Sequence, residues 1–300
     1  MEEQAVTEAV VKTGKVQDYI QLAKLRLASS VVFSAAVAYL LGVEQFDFQV
    51  FILLLLGGFL VVGSSNGFNQ VMEREYDAIM DRTMNRPLPA GRMSVLEATI
   101  ACVVMGLLGV FLLFIINPLS AFFGALALIL YTLVYTPLKR KTPWAVFVGA
   151  FPGAIPFMLG WVAATNDFDI EPGILFAIQF IWQFPHFWSL AWILDADYKK
   201  AGYVLLPGRE KGKQPAMQSF LYTFWLIPLS ILPAFGITGD LKLTWIGAIL
   251  VAAFGIWLLV KAVALVKQAD DEAARKLFIA TLAYLPSVQI LYILDQWILQ

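Results

Sequence analysis

The chain has 300 residues, of which 60% are hydrophobic and only 14% are charged, a composition too apolar for a soluble domain and typical of a polytopic membrane protein. The net charge of −1 argues against the global basic field of a nucleic-acid-binding protein. The single cysteine, Cys102, excludes an intrachain disulfide and a cysteine-based metal site, and its apolar surroundings indicate inert packing.

The first 26 residues are polar and are predicted to lie at the membrane surface, within a single domain that covers residues 1–300. The opening MEEQAVTEAV is acidic and lacks a hydrophobic core, so it is neither a secretory signal nor an arginine-rich transit peptide. We therefore expect the first apolar segment to remain as an anchor, which favours a bacterial inner membrane over an imported organelle protein.

Apolar stretches of membrane-spanning length follow along the chain. They fall at about 27–43, 48–70, 94–116, 118–137, 144–164, 172–194, 216–237, 243–266 and 277–298. They predict an all-α, polytopic membrane helical bundle with nine transmembrane helices around a central cavity. Only Asn117-Pro118 separates the third stretch from the fourth, so eight spans is the alternative.

The distribution of positive charge favours nine spans. With the N terminus in the cytoplasm, every lysine and arginine except Lys242 falls on the cytoplasmic side. Merging two spans would break this pattern, so the positive-inside rule places the N terminus inside and the C terminus outside. The polar loops at 71–93, 139–142 and 195–214 then face one compartment, and we predict that the cavity opens there.

The first of these polar segments runs from Asn69 to Ser94. Asn69, Glu73, Asp77 and Asp81 recur every four residues, so on a helix they form a slowly winding stripe with Asp81 at its edge. Such a stripe repels itself unless a cation lies between its members, and hard oxygen ligands suit Mg²⁺. Four arginines among the acids match phosphate oxygens: Arg74, Arg82, Arg86 and Arg92. The alternative is a solvated loop whose charges only keep it in water.

This segment resembles a known family. The pattern N-x-x-x-E-x-x-x-D followed by D-R-T-x-N-R-P-L-P-A-G-R-x-S is similar to the first aspartate-rich motif of the UbiA-type intramembrane prenyltransferases. Within that superfamily, R-T-x-N-R-P-L most resembles the haem O synthases. Glu73 stands where the family usually has aspartate, and its longer carboxylate retains metal-binding chemistry.

The second polar loop is basic and has the sequence YTPLKRKTPW, from Tyr135 to Trp144. A Lys-Arg-Lys run between spans is typical of a simple topology signal. Its Y-T-x-L-K-R pattern also resembles the basic loop of the family, and this resemblance implies that Lys139 and Arg140 hold the diphosphate.

The third polar segment, WQFPHFWSLAWILDADYKKAGYVLLP, runs from Trp182 to Pro207. Asp195 and Asp197 end a span, where the helix dipole disfavours acids unless a metal or the nearby lysines compensate. The segment resembles the W-Q-x-P-H-F-x-x-L-A and D-Y-x-x-A-G motifs of haem O synthases. Because D-A-D replaces the D-x-x-x-D of other UbiA-type enzymes, the resemblance favours Asp197 as a ligand over Asp195.

The only histidine, His186, lies about two turns inside the sixth predicted span. One interpretation is a core histidine satisfied by a neighbouring helix. Intramembrane ionisable groups are also functional candidates, and neutral imidazole is a common haem ligand. The haem O synthase resemblance implies that His186 contacts haem, through its iron or a propionate.

The resemblance implies transfer of a farnesyl group from farnesyl diphosphate to a vinyl group of protohaem IX, giving haem O and diphosphate. It implies Mg²⁺ as cofactor and a catalytic, metal-binding role for Asn69, Glu73, Asp77 and Asp197, with weaker metal roles for Asp81 and Asp195. The implied substrate-binding residues are Arg82, Arg86, Lys139, Arg140 and His186. Implied partners are both substrates, the lipid bilayer, and a downstream haem-modifying enzyme or cytochrome oxidase assembly, with no nucleic acid.

Two other functions stay open. A UbiA-type enzyme of the same architecture can act on a quinone precursor or another aromatic acceptor. A secondary transporter would use acids near the bilayer midplane to carry ions or protons. The acids of this chain cluster at the cytoplasmic ends of the predicted spans, which disfavours the transporter. The sequence assigns no residue as a base or as the group that positions water.

Overall fold

The computed structural model describes residues 14–299, and it confirms an all-helical membrane bundle. The acidic segment 1–13, predicted to lie at the membrane surface, falls outside the described residues. The α-helices are α1 Lys15–Ala23, α2 Leu25–Gly42, α3 Phe48–Asp77, α4 Val95–Ile116, α5 Pro118–Ile129, α6 Thr136–Leu138, α7 Ala145–Thr165, α8 Ile170–Ile193, α9 Asp195–Lys200, α10 Lys213–Ile231, α11 Trp245–Gln268 and α12 Asp271–Leu294. A π-helical turn, Leu130–Tyr135, joins α5 to α6 without interruption.

Within residues 14–299, eight helices are long and apolar enough to cross a membrane: α2, α3, α4, α5 with its continuation to Leu138, α7, α10, α11 and α12 with its continuation to Leu299. α8 has 24 residues but is not among these eight, and several of its side chains are polar. Gln179 and Gln183 donate to the carbonyl oxygens of Gly153 and Ala150 in α7, at 2.8 and 3.0 Å. α8 thus packs its polar groups against a neighbouring helix.

The third and fourth predicted spans are separate helices, so a count of eight spans does not come from merging these two stretches. Asn117 between them is extended, with φ −165° and ψ 158°. Its side chain accepts a hydrogen bond from the backbone N–H of Ser120 at 2.7 Å, which caps α5, and Pro118 occupies the first helical position, where its missing N–H costs nothing.

α3 extends further than the predicted apolar span. Asp47 caps its start, accepting from the backbone N–H groups of Gln49 and Val50, and the helix continues to Asp77. Its middle packs closely on α4, because a Cβ built on Gly109 would lie 2.8 Å from the backbone nitrogen of Val61. This close packing on α4 fixes the position of α3, and with it the polar end of the helix.

The three polar loops meet at one end of the bundle. The Asp197 carboxylate, in α9, accepts hydrogen bonds from the backbone N–H groups of Asp81 and Arg82, at 3.2 and 3.3 Å. The backbone N–H of Val204 donates to the carbonyl of Lys139 at 2.9 Å. The loops after α3, after α6 and after α8 thus form one continuous surface over the end of α3.

Candidate active site

The last two turns of α3 carry a row of buried polar side chains. Asn69, Glu73 and Asp77 are 2%, 6% and 1% exposed, which is rare for carboxylates unless they are paired. Their spacing of four residues aligns them on one helical face. Asp81 does not continue the row, because α3 ends at Asp77 and the Asp81 side chain is exposed.

A buried ion pair holds Glu73. Lys139 Nζ lies 2.6 Å from Glu73 Oε1 and 2.7 Å from Oε2. Lys139 is also buried, and its ammonium group lies over the rings of Tyr135 and Tyr203, 5.1 and 5.4 Å from their centroids. Burial lowers the pKa of Lys139, and the charge of Glu73 opposes that shift. The pair places a cation directly beside the row of acids.

Asp77 makes the second ion pair. Its Oδ2 accepts from Arg86 Nη1 at 2.6 Å, and Arg86 lies in the loop that folds back over the helix end. Among the described residues, the other oxygen, Asp77 Oδ1, is buried without a hydrogen-bond partner. A buried carboxylate oxygen without a donor is costly on its own and is well suited to a bound cation.

Lys24 is a further member of this site, although its place in the sequence indicates only the orientation of the first span. It sits between α1 and α2 in the left-handed conformation, with φ 51°. Its Nζ lies 3.4 Å from Asn69 Oδ1. Burial, reinforced by the positive charges of Arg86 and Lys139, lowers its pKa to about 7. Its position at the junction of a polar segment and the first span was the only signal in the sequence.

The two aspartates of the third loop bind protein groups. Asp195 pairs with Lys199 at 2.8 Å, and Lys200 bridges Asp81 and Asp197, at 2.6 and 3.4 Å. Burial tends to raise the pKa of Asp197, but the N–H groups of Arg82 and Asp81 outweigh it and hold the pKa below its usual range. Across residues 14–299, no three acidic, histidine or cysteine side chains gather into a metal site by themselves.

Two further arginines predicted to bind phosphate lie at the surface of the loop cluster. The Arg140 guanidinium stacks over the ring of Tyr76, 3.9 Å from its centroid, and donates to the Tyr76 hydroxyl. The Arg82 side chain is exposed. Both are thus separate from the buried ion pairs of Lys139 and Arg86.

His186 lies apart from this cluster, in the middle of the α8 sequence. Its Nδ1 is 2.9 Å from the hydroxyl of Thr281 in α12. Its ring stacks between Trp182 and Phe278, with centroids 4.7 and 5.0 Å away. Trp182 also donates to the Thr281 carbonyl at 2.9 Å. α12 therefore fixes the imidazole through Thr281 and Phe278, and Trp182 of α8 itself stacks on the ring.

The arrangement suits an anionic ligand held with a divalent cation. It combines three oxygen-bearing side chains in one row with cations from three different segments: the buried Lys139 and the half-buried Lys24 and Arg86. Carboxylates can bind a metal, while lysine and arginine can bind phosphate oxygens. The donor set contains only oxygens of the kind Mg²⁺ prefers, and Asp77 Oδ1 has no donor among residues 14–299, so these residues fit that metal.

The chain matches the UbiA prenyltransferase family over residues 30–285. A protohaem IX farnesyltransferase of Christiangramia forsetii is 52% identical, with 94% of each chain covered. One of Flavobacterium psychrophilum is 51% identical over 94% of this chain and 95% of its own.

Solved structures share the same fold. A structure of digeranylgeranylglyceryl phosphate synthase has a TM-score of 0.78 at 21% identity, covering 94% of this chain and 98% of its own. A UbiA homologue from Archaeoglobus fulgidus bound to GPP and Mg²⁺ has a TM-score of 0.68 at 17% identity, with 92% and 99% covered. At these identities, the likeness concerns the fold alone.

Proposed function

Because this chain belongs to the UbiA prenyltransferase family, we propose that it transfers a farnesyl group from farnesyl diphosphate to a vinyl group of protohaem IX, giving haem O. The observation that carries the proposal is identity of about half over nearly the full length of relatives that are protohaem IX farnesyltransferases. The sequence-based prediction of this activity is confirmed by these relatives. The proposed domain covers residues 1–300.

The proposed diphosphate site is the end of α3. Asn69, Glu73 and Asp77 would hold Mg²⁺ from one helix face, and Asp197 would join them from the covering loop. When bound there, Mg²⁺ would supply positive charge to the diphosphate leaving group. Asp81 and Asp195 are the weaker candidates, since both pair with lysines at the surface.

The cations of the site would bind the phosphate oxygens. Lys139 and Arg86 are buried or nearly so beside the acids, and Arg82 and Arg140 border the same loop cluster. A fixed positive charge is worth more here than in water, because the surroundings exclude solvent. These groups therefore favour departure of the diphosphate without reorganising.

The carbon–carbon bond forms in the apolar part of the bundle. The bond between farnesyl C1 and diphosphate breaks, and the electron pair leaves with the diphosphate. The vinyl π electrons of protohaem IX then bond to C1, water adds to the vinyl carbon next to the porphyrin, and one proton is released. Apolar walls protect the allylic cation from early capture by water. His186 is the proposed haem contact. The product would pass to a haem-modifying enzyme or to cytochrome oxidase assembly.

An acceptor assay tests the function. We expect purified protein with labelled farnesyl diphosphate and Mg²⁺ to label haem b and to leave 4-hydroxybenzoate unlabelled. The measurement is chromatography of the products, with boiled protein as the control. Labelled 4-hydroxybenzoate would instead identify an aromatic-acceptor transferase, and no product with either acceptor would favour the transporter alternative.

For the membrane arrangement, we propose nine spans, with α8 as the sixth, in a bacterial inner membrane with the N terminus inside. The three polar loops then lie in the cytoplasm. Single cysteines introduced at Ala90, Lys141 and Lys211 should all react with an impermeant maleimide only after the cytoplasmic face is opened. Wild-type protein is the control, since its Cys102 is fully buried. Labelling of any of the three from the outside would contradict this topology.

A further inference from the structure

The junction of α5 and α6 has an unusual backbone beside the proposed metal site. Leu130–Tyr135 form a π-helical turn, and Pro137, which has no N–H to donate, follows after Thr136. Such turns are rare and are often found at functional sites. Here the turn ends at Thr136, a buried residue whose backbone N–H donates to the Tyr131 carbonyl.

The Thr136 hydroxyl has one proton, which a hydrogen bond within the same segment already uses. Thr136 Oγ1 donates to the same Tyr131 carbonyl at 2.9 Å. Towards Asn69 the hydroxyl can therefore act only as an acceptor. Asn69 Nδ2 lies 3.3 Å from Thr136 Oγ1, so the amide donates to it.

This contact determines which way the Asn69 amide points. Nδ2 has two hydrogens, and Glu73 Oε2 accepts the second at 2.7 Å. The amide oxygen then faces Lys24, 3.4 Å away. A flipped amide would set its oxygen against a carboxylate and against a hydroxyl that has no proton to give. The flip would replace two hydrogen bonds by two repulsive contacts.

We propose that Thr136 is a positioning residue for the metal site: it holds the Asn69 amide with Nδ2 towards Glu73, so that Oδ1, on the side of Lys24, is available to bind the metal. The inference rests on the proposed function, because Asn69 is a metal ligand only there. Of the two groups that accept from Nδ2, Glu73 is itself a proposed ligand and is shared with Lys139. Thr136 is not a proposed ligand, so its hydrogen bond with the Asn69 amide does not depend on whether Glu73 binds the metal or Lys139.

The test compares three variants by Mn²⁺ binding, measured by electron paramagnetic resonance in the presence of farnesyl thiodiphosphate. Thr136→Val keeps the shape but cannot accept, and we expect its Mn²⁺ dissociation constant to rise about 10-fold or more. Thr136→Ser keeps the hydroxyl and should stay within about threefold of wild type, on the same scale of effects. The matched control is Thr132→Val, because within residues 14–299 the buried Thr132 hydroxyl has no hydrogen-bond partner.

A double-mutant cycle separates positioning from a general loss of structure. In Asn69→Asp protein both side-chain oxygens can bind the metal, so orientation no longer matters. Adding Thr136→Val to that background should then change Mn²⁺ affinity by less than about twofold. The effects of the two substitutions would therefore not add, as expected for coupled residues. Equal Mn²⁺ affinity of wild type and Thr136→Val would overturn the positioning role of Thr136 but leave the proposed function standing. An equal loss of affinity on adding Thr136→Val to wild type and to Asn69→Asp would do the same. Wild-type protein that binds no Mn²⁺ with the analogue would instead contradict the proposed function.

Discussion

Asp77→Asn protein should lose farnesyl transfer, by about 100-fold or more, while keeping its membrane fold. Asp77 is 1% exposed, and its Oδ1 is the buried carboxylate oxygen that lacks a hydrogen-bond donor within the described chain. The substitution removes one negative charge from the proposed metal site and leaves the shape nearly unchanged. Product formation from labelled farnesyl diphosphate and haem b measures the effect.

The pairing with Arg86 sets the expected cost in stability. In wild-type protein Arg86 Nη1 donates to Asp77 Oδ2 at 2.6 Å. The asparagine carbonyl can still accept that hydrogen bond, so we expect a loss of about 1–3 kcal/mol and not unfolding. A melting curve in the same detergent separates this loss from the loss of transfer.

Two variants on the same helix complete the experiment. Glu73→Asp should retain activity, since it keeps the charge and restores the residue usual in the family. Glu75→Gln removes a carboxylate that is 73% exposed and pairs only with Arg74 among the described contacts, so transfer should not change. Near-normal turnover of Asp77→Asn would exclude the role proposed for Asp77, and inactivity of Glu75→Gln would indicate a general charge effect.

Local patterns in the sequence predict the helices and the row of acids well. Apolar runs of about 20 residues identify membrane helices whatever their neighbours, and a spacing of four residues places Asn69, Glu73 and Asp77 on one face wherever the helix continues. The same pattern placed Asp81 at the edge of the row, but the helix ends at Asp77, because Thr83, Arg86 and the following loop turn back over it.

Contacts between distant segments were not predictable in this way. Lys24 reaches Asn69 across 45 positions and Thr136 reaches it across 67, so neither pairing has a local signature. The family resemblance implies that Asp197 is a metal ligand, and this role stays a prediction. Its hydrogen bonds to the backbone of Asp81 and Arg82 depend instead on how two loops pack. The sequence thus indicates which groups are available, and tertiary packing determines their partners.

The protonation of His186 follows from the hydrogen bonds of Thr281. The Thr281 hydroxyl donates its one proton to the Phe278 carbonyl at 2.6 Å. It can therefore only accept from His186, whose Nδ1 carries the proton at 2.9 Å. In the neutral imidazole the lone pair then lies on Nε2, the nitrogen that a haem iron can bind. Trp182 and Phe278 prevent the ring from turning away.

His186→Ala should therefore weaken haem binding by about 10-fold or more and shift the Soret band, while binding of farnesyl thiodiphosphate stays unchanged. The diphosphate site is built from α3 and the loops, and none of its described contacts involves His186. The matched control is Trp182→Phe, on the same helix face, which removes the indole N–H bond to the Thr281 carbonyl but keeps an aromatic ring against the imidazole. If the histidine only packs, both variants should melt earlier and weaken the two ligands together, with no spectral shift specific to His186→Ala. A loss of haem affinity and a changed spectrum in His186→Ala alone would assign the imidazole to the haem, and the unperturbed diphosphate binding would show that the two substrates bind at separately built sites.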